Sequence, residues 1–99
     1  MNSIHKVVTI IEAKTFKKTY KKLPPTIQQK FKRRFPEWCN SPFEPAYKLE
    51  RVRSDKTKRT WKWSVDDDYR CLIEWQVKFS SVILIGVYTH NELRALGYY

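Results

Sequence analysis

The chain has 99 residues, 41% of them apolar and 15% aromatic, and its 20 Lys+Arg outweigh 10 Asp+Glu to give a formal net charge of +10. That length suits one domain, residues 1–99, and the aromatic content supplies a core that excludes disorder. No apolar run reaches the 18 or more residues of a membrane span and no cleavable leader is evident, so a cytoplasmic protein without a membrane partner is expected.

A pI near 9.8 points to phosphate-bearing partners or to an acidic protein. The charge is clustered. Nine basic residues and no acid lie between Glu12 and Glu37, and seven basic residues with two acids lie in Lys48–Lys62.

In chain order, the β-branched run IHKVVTII (4–11) predicts a first strand, with His5 a structural residue in it. Ala13, Phe16, Tyr20 and Leu23 then recur at helical spacing, and lysines 14, 17, 18, 21 and 22 cover the remaining surface. Pro24 and Pro25 end that helix and can open the next. TIQQKFKRRF continues as a second helix with Ile27, Phe31, Phe35 and Trp38 in one stripe. Pro36 should end or kink it, because proline has no N–H for the carbonyl of Lys32. NSPFEP (40–45) reads as a loop.

The period then changes. YKLERV (47–52) is a plausible strand and RSDKTK (53–58) a polar connection, while RTWKWSV (59–65) and YRCLIEWQV (69–77) alternate strongly. KFSS (78–81) turns into VILIGVYT (82–89), apolar on both faces and so central or doubly covered. NELRAL (91–96) predicts a terminal helix capped by Asn91. The fold class is α+β: a small antiparallel four-stranded sheet with a helical hairpin on one face, in the order β-α-α-β-β-β-α.

Asp66, Asp67 and Asp68 pose a choice between a metal site and a turn. Metal chemistry needs carboxylates converging from separate elements, and no second acidic cluster is available. A turn is expected, and with it no metal and no cofactor. Cys39 and Cys71, 32 residues apart, match no metal spacing and read as two buried free thiols.

Beyond the turn, Arg70 starts a strand whose other face carries Tyr69, Cys71, Ile73, Trp75 and Val77. It can grip a phosphate through its planar fork, or pair with Glu50 or Glu74. His90 ends the last strand and can exchange a proton near neutral pH, or it can simply help start the terminal helix. Metal-free RNA cleavage needs a base for the 2′-OH, cations for the phosphorane and an acid for the leaving oxygen. Glu50 and His90 are candidate proton carriers, with Lys48, Arg51, Arg53, Arg59 and Arg70 as cations. Trp61, Trp63 and Tyr88 are candidate stacking platforms for RNA bases.

The order and spacing of TYKKLPPTIQQKFKRRF, the NSPFEP loop, YKLERV, WKWSVDDDYRCLI and ILIGVYTHNEL resemble the RelE/ParE superfamily of bacterial type II toxins, almost end to end. The resemblance implies a toxin held inactive by a cognate antitoxin. Most RelE-like members cut mRNA on the ribosome without a metal, whereas ParE-like members poison DNA gyrase. THNEL is more similar to the RNA-cleaving branches. On that analogy His90 is the general acid or base, Arg70 binds the scissile phosphate and Glu50 matches an acidic base. The basic hairpin, with Lys17, Lys18, Lys21, Lys22, Lys30, Arg33 and Arg34, would dock on ribosomal RNA. One position departs from the pattern: Ser64 stands where many RNA-cleaving relatives carry arginine, and Lys62 is the candidate substitute.

Overall fold

The computed structural model describes residues 6–76 and 79–99. His5, Val77 and Lys78, and the expectations attached to them, lie outside the described residues. Strand β1 is Thr9–Glu12, followed by helices α1 (Lys14–Lys22) and α2 (Pro25–Asn40) and a 3-10 turn at Pro45–Tyr47. Strands β2 (Glu50–Arg51), β3 (Thr60–Ser64), β4 (Tyr69–Trp75) and β5 (Ser81–Thr89) lead to helix α3 (His90–Ala95).

The α+β class is correct, but the sheet has five strands and is mixed. Its order is β1-β5-β4-β3-β2, with β1 parallel to β5 and the other three pairings antiparallel. The hydrophobic pattern locates strands but not their direction. The hairpin carries the chain from one edge of the sheet to the other, and three antiparallel reversals then return β5 alongside β1 in the same sense. β2, only two exposed residues long, is the other edge.

Helix α1 turns Phe16 into the core and its C-cap Leu23 follows, and α2 does the same with Ile27, Phe31, Trp38 and Cys39. Tyr20 and Gln28 hold the two helices together. The Tyr20 hydroxyl donates to the Gln28 carbonyl at 3.1 Å, and Gln28 Nε2 donates to the Tyr20 carbonyl at 2.8 Å. Pro24 and Pro25 form the junction as expected.

Pro36 does not end α2, which runs through it to Asn40. The reason is tertiary. Trp38, in the turn beyond the proline, lies on Trp63 of β3 with ring centroids 4.9 Å apart and planes 8° from parallel. Phe35 lies over the same indole at 6.5 Å. An interior proline costs about 3 kcal/mol, and burial of a tryptophan contributes roughly as much. Trp63 is therefore fully buried under the hairpin and cannot stack an RNA base, which corrects its reading as an RNA-binding residue.

Cys39 and Cys71 are free and buried; burial raises both thiols, that of Cys39 to about 11, so neither is a thiolate at neutral pH. No helix among the described residues is long and apolar enough to cross a membrane.

The β2–β3 loop is organised by Asp55, whose Oδ2 accepts from Thr57 Oγ1 at 2.5 Å and from the N–H groups of Thr60 and Arg59 at 3.0 and 3.3 Å. The Thr57 hydroxyl is the main cause of a carboxyl pKa lowered to about 2.

Two expectations follow from these contacts. Trp38→Ala should cost about 3–5 kcal/mol in urea unfolding while Pro36→Ala stabilises; equal effects of the same sign would refute the compensation. Because the Asp55 pKa is depressed on folding, its stabilisation is present above the ordinary carboxyl value and lost as pH falls toward 2. The Tm deficit of Asp55→Ala should accordingly shrink between about pH 4 and pH 2.

Candidate active site

The hairpin covers one face of the sheet, so strand alternation leaves the opposite face for polar chemistry. Two rows cross that open face. Glu50, Lys62, Leu72 and Gly86 are in register across β2, β3, β4 and β5, and Ser64, Arg70 and Tyr88 form the next row. Helix α3 packs Leu93 onto Leu72 and Val52, with Tyr88, Tyr98 and Ile85 around them.

The three aspartates make a turn. One oxygen of Asp66 accepts the N–H groups of Asp68 and Tyr69 at 2.9 and 2.8 Å, and the other meets Lys30 Nζ at 3.5 Å. Among the described residues no three His, Cys, Asp or Glu side chains gather as metal ligands would.

Arg70 does not make the carboxylate pair that was the alternative to a phosphate grip. Only 9% exposed, it turns Nη1 to the carbonyls of Asp66, Asp67 and Tyr69 at 2.6, 3.2 and 3.1 Å, and pairs with neither Glu50 nor Glu74. Neutral carbonyls fix the guanidinium without cancelling its charge. Ser64, opposite Arg70 in register, is buried and donates its hydroxyl to the Asp66 carbonyl at 2.8 Å. Lys62 is the second cation of this face, its side chain 12% exposed and its Nζ 3.3 Å from the Glu50 carboxylate.

His90 is the first residue of α3, and the cap is Thr89 rather than Asn91. The Thr89 hydroxyl accepts from Glu92 N at 3.2 Å, and the Glu92 carboxylate accepts from Thr89 N at 2.8 Å. This reciprocal box fixes where the strand stops and the helix starts. Asn91 lies one position inside the helix. With Lys62, Leu93, Arg94, Tyr98 and Tyr99, His90 lines a pocket of about 350 Å³. Burial is the main force lowering the His90 pKa. The positive charges of Arg70 and Lys62 lower it further, against partial compensation by Glu50 and Asp68. Burial also raises the Tyr88 phenol, which stays protonated. His90, Arg70, Lys62 and Glu50 thus share one electrostatic neighbourhood.

The other candidates are dispersed. Arg51 pairs with Trp61, and so faces away from Glu50 and Lys62. Trp61 donates its indole N–H to the Lys58 carbonyl at 3.2 Å and meets Phe43 edge-on. Arg59 meets Glu74 at 4.0 Å, four residues along β4 from Arg70. Lys48, in left-handed backbone at φ 50°, and Arg53, in the β2–β3 loop, are both exposed.

On the hairpin, Lys17, Lys18, Lys21, Lys22 and Arg33 are exposed. Arg34 is not a free docking cation. Half-buried, it covers the Tyr47 ring at 4.9 Å and reaches the Ala46 carbonyl at 3.4 Å. Lys30 is spent in part on Asp66. Two features escaped the sequence reading. The Thr89–Glu92 box was visible as T-x-x-E, whereas the role of Gly86 beneath Tyr88 had no sequence signal.

No family model and no curated protein matches the sequence. Solved structures do. The chain is similar to the RelB–RelE antitoxin–toxin complex of Methanococcus jannaschii, with a TM-score of 0.68 at 19% identity over 88% of this chain and 98% of that one. It is similar to the DinJ–YafQ toxin–antitoxin complex of E. coli, with a TM-score of 0.65 at 16% identity, covering 91% and 98% of the two chains. A YoeB/ParE toxin from Agrobacterium tumefaciens gives 0.65 at 12% identity, covering 84% and 99%. The chain accordingly shares the overall fold of these solved RelE, YafQ and YoeB/ParE structures.

Proposed function

We propose that the chain is the toxin of a type II toxin–antitoxin pair and acts in the cytoplasm as a ribosome-dependent, metal-independent mRNA endonuclease. What supports this reading is that His90 and Lys62 line one pocket while Arg70 stands on the same sheet face as Lys62, with both positive charges lowering the His90 pKa. A lowered pKa leaves the imidazole neutral at pH 7, ready to take the proton of an RNA 2′-OH. The 2′-oxygen then attacks phosphorus, and Arg70 and Lys62 stabilise the phosphorane. The imidazolium so formed returns its proton to the leaving 5′-oxygen, yielding a cyclic phosphate and a free 5′-hydroxyl. Glu50, tied to Lys62, tunes that cation and is the alternative base.

The exposed lysines of α1, with Arg33, form the docking face for ribosomal RNA. Each phosphate contact releases a counterion, so ribosome binding should weaken steeply with salt; salt-independent binding would remove this docking role. A cognate antitoxin with an acidic segment would cover the positive surface. Serine at position 64, where many RNA-cleaving relatives carry arginine, favours a second reading, a ParE-like inhibitor of DNA gyrase, because the open face then has one cation fewer for a phosphate.

The test is end-mapping of a defined mRNA in a bacterial translation extract. Translation-dependent cuts are expected, with His90→Ala slowing them by about 10²–10⁴-fold. The rate should rise with pH through a midpoint below the ordinary histidine value of about 6.5, since protonation removes the base. Lys62→Met, by deleting a cation that lowers this pKa, should move the midpoint upward. Intact mRNA with folded protein, together with loss of gyrase supercoiling, would establish the second reading instead.

A further inference from the structure

Alternation along β5 breaks once. Leu72 of β4 pairs with Gly86, but the next residue, Ile73, pairs with Leu84, so Ile85 has no partner of its own. Before this bulge Val82 and Leu84 face the hairpin core and Ile83 the open face; after it Val87 faces the core and Gly86 and Tyr88 the open face. One inserted residue inverts every side chain beyond it. An unbroken strand would point Tyr88 into the core, away from Arg70.

The backbone groups turned outward around the bulge are received by α1. Thr15 Oγ1 donates to the Ile85 carbonyl at 2.6 Å, and Val87 N–H donates to Thr19 Oγ1 at 3.1 Å. The Thr19 hydroxyl gives its own proton to the Phe16 carbonyl at 3.0 Å, which leaves its oxygen oriented as the acceptor. β1 cannot serve here, because its pairing ends at Glu12 and Leu84. Gly86 completes the arrangement, since a Cβ there would meet the Tyr88 ring at 2.6–2.8 Å. The ring lies where a side chain at position 86 would be.

We infer that the β5 bulge sets Tyr88 on the open face, and that Thr15, Thr19 and Gly86 are positioning residues for the proposed RNA site. The inference rests on reading the open face as that site, and its structural half can be tested without any activity. In NMR of the full chain, the Gly86 α-protons should be shifted upfield by the Tyr88 ring, and Tyr88→Leu should abolish the shift. Thr15→Val with Thr19→Val leaves both backbone groups unpaired; it should lose the shift and slow cleavage by about 10–100-fold. Thr15→Ser with Thr19→Ser keeps both hydroxyls and should retain shift and rate, a rescue that a purely space-filling role would not give.

A valine pair that keeps the wild-type shift overturns the inference. If that pair does not fold, Gly86→Ala decides: the same loss of cleavage supports the inference and a wild-type rate overturns it. Should the wild-type chain cut no RNA, the functional reading falls, while the shift still decides how Tyr88 is held.

Discussion

Trp38 lying on Trp63 is the contact on which the rest of the molecule depends. It holds the last turn of α2 in place past Pro36, and with Phe31 and Phe35 it presses the hairpin onto β3. Once that face is closed with aromatic rings, strand alternation has one consequence for the other. Every residue between the buried ones must face away from the hairpin, so Lys62, Ser64 and Arg70 stand together on the open side. The polar site is a by-product of where the apolar residues go. Its precision comes from the rigidity of the sheet that carries it.

The aspartate turn and Arg70 belong to the same unit. Asp66 uses its carboxylate to close the turn, which gathers three carbonyls where the guanidinium can reach them. A carboxylate partner would have neutralised Arg70; carbonyls hold it and leave its field acting on His90. Three acids in a basic protein therefore serve a cation through backbone geometry, while Lys30 anchors the turn to α2.

Most of this architecture was legible from period and punctuation. The double proline marked the helix junction, and the alternation in β3 and β4 assigned their faces. That same alternation already forbade placing Lys62 and Trp63 on one surface, because adjacent strand residues face opposite ways. The stop expected as one outcome at Pro36 does not occur, because burial of Trp38 two residues later overrides the local rule. The cap expected at Asn91 is instead Thr89, where T-x-x-E is the stronger capping signal. The direction of β1 and the bulge at Ile85 have no local signature, since both arise from how distant segments meet.

Charge gives this arrangement a tension of its own. Arg70 and Lys62 beside His90 disfavour a third positive charge, and a net charge of +10 adds repulsion across the whole surface. Glu50 relieves part of it by holding Lys62, yet that carboxylate is 63% exposed, where screening by water and salt weakens the pair. The open face is left incompletely compensated, with Arg70 fixed by neutral carbonyls. Polyanions answer that deficit in two chemically distinct ways. An RNA phosphate at the open face would meet the cations beside His90, whereas an acidic protein segment would neutralise them without offering a 2′-hydroxyl to react. Under the proposed function the same uncompensated charge would serve substrate and inhibitor alike, and what would separate them is the group delivered to the imidazole.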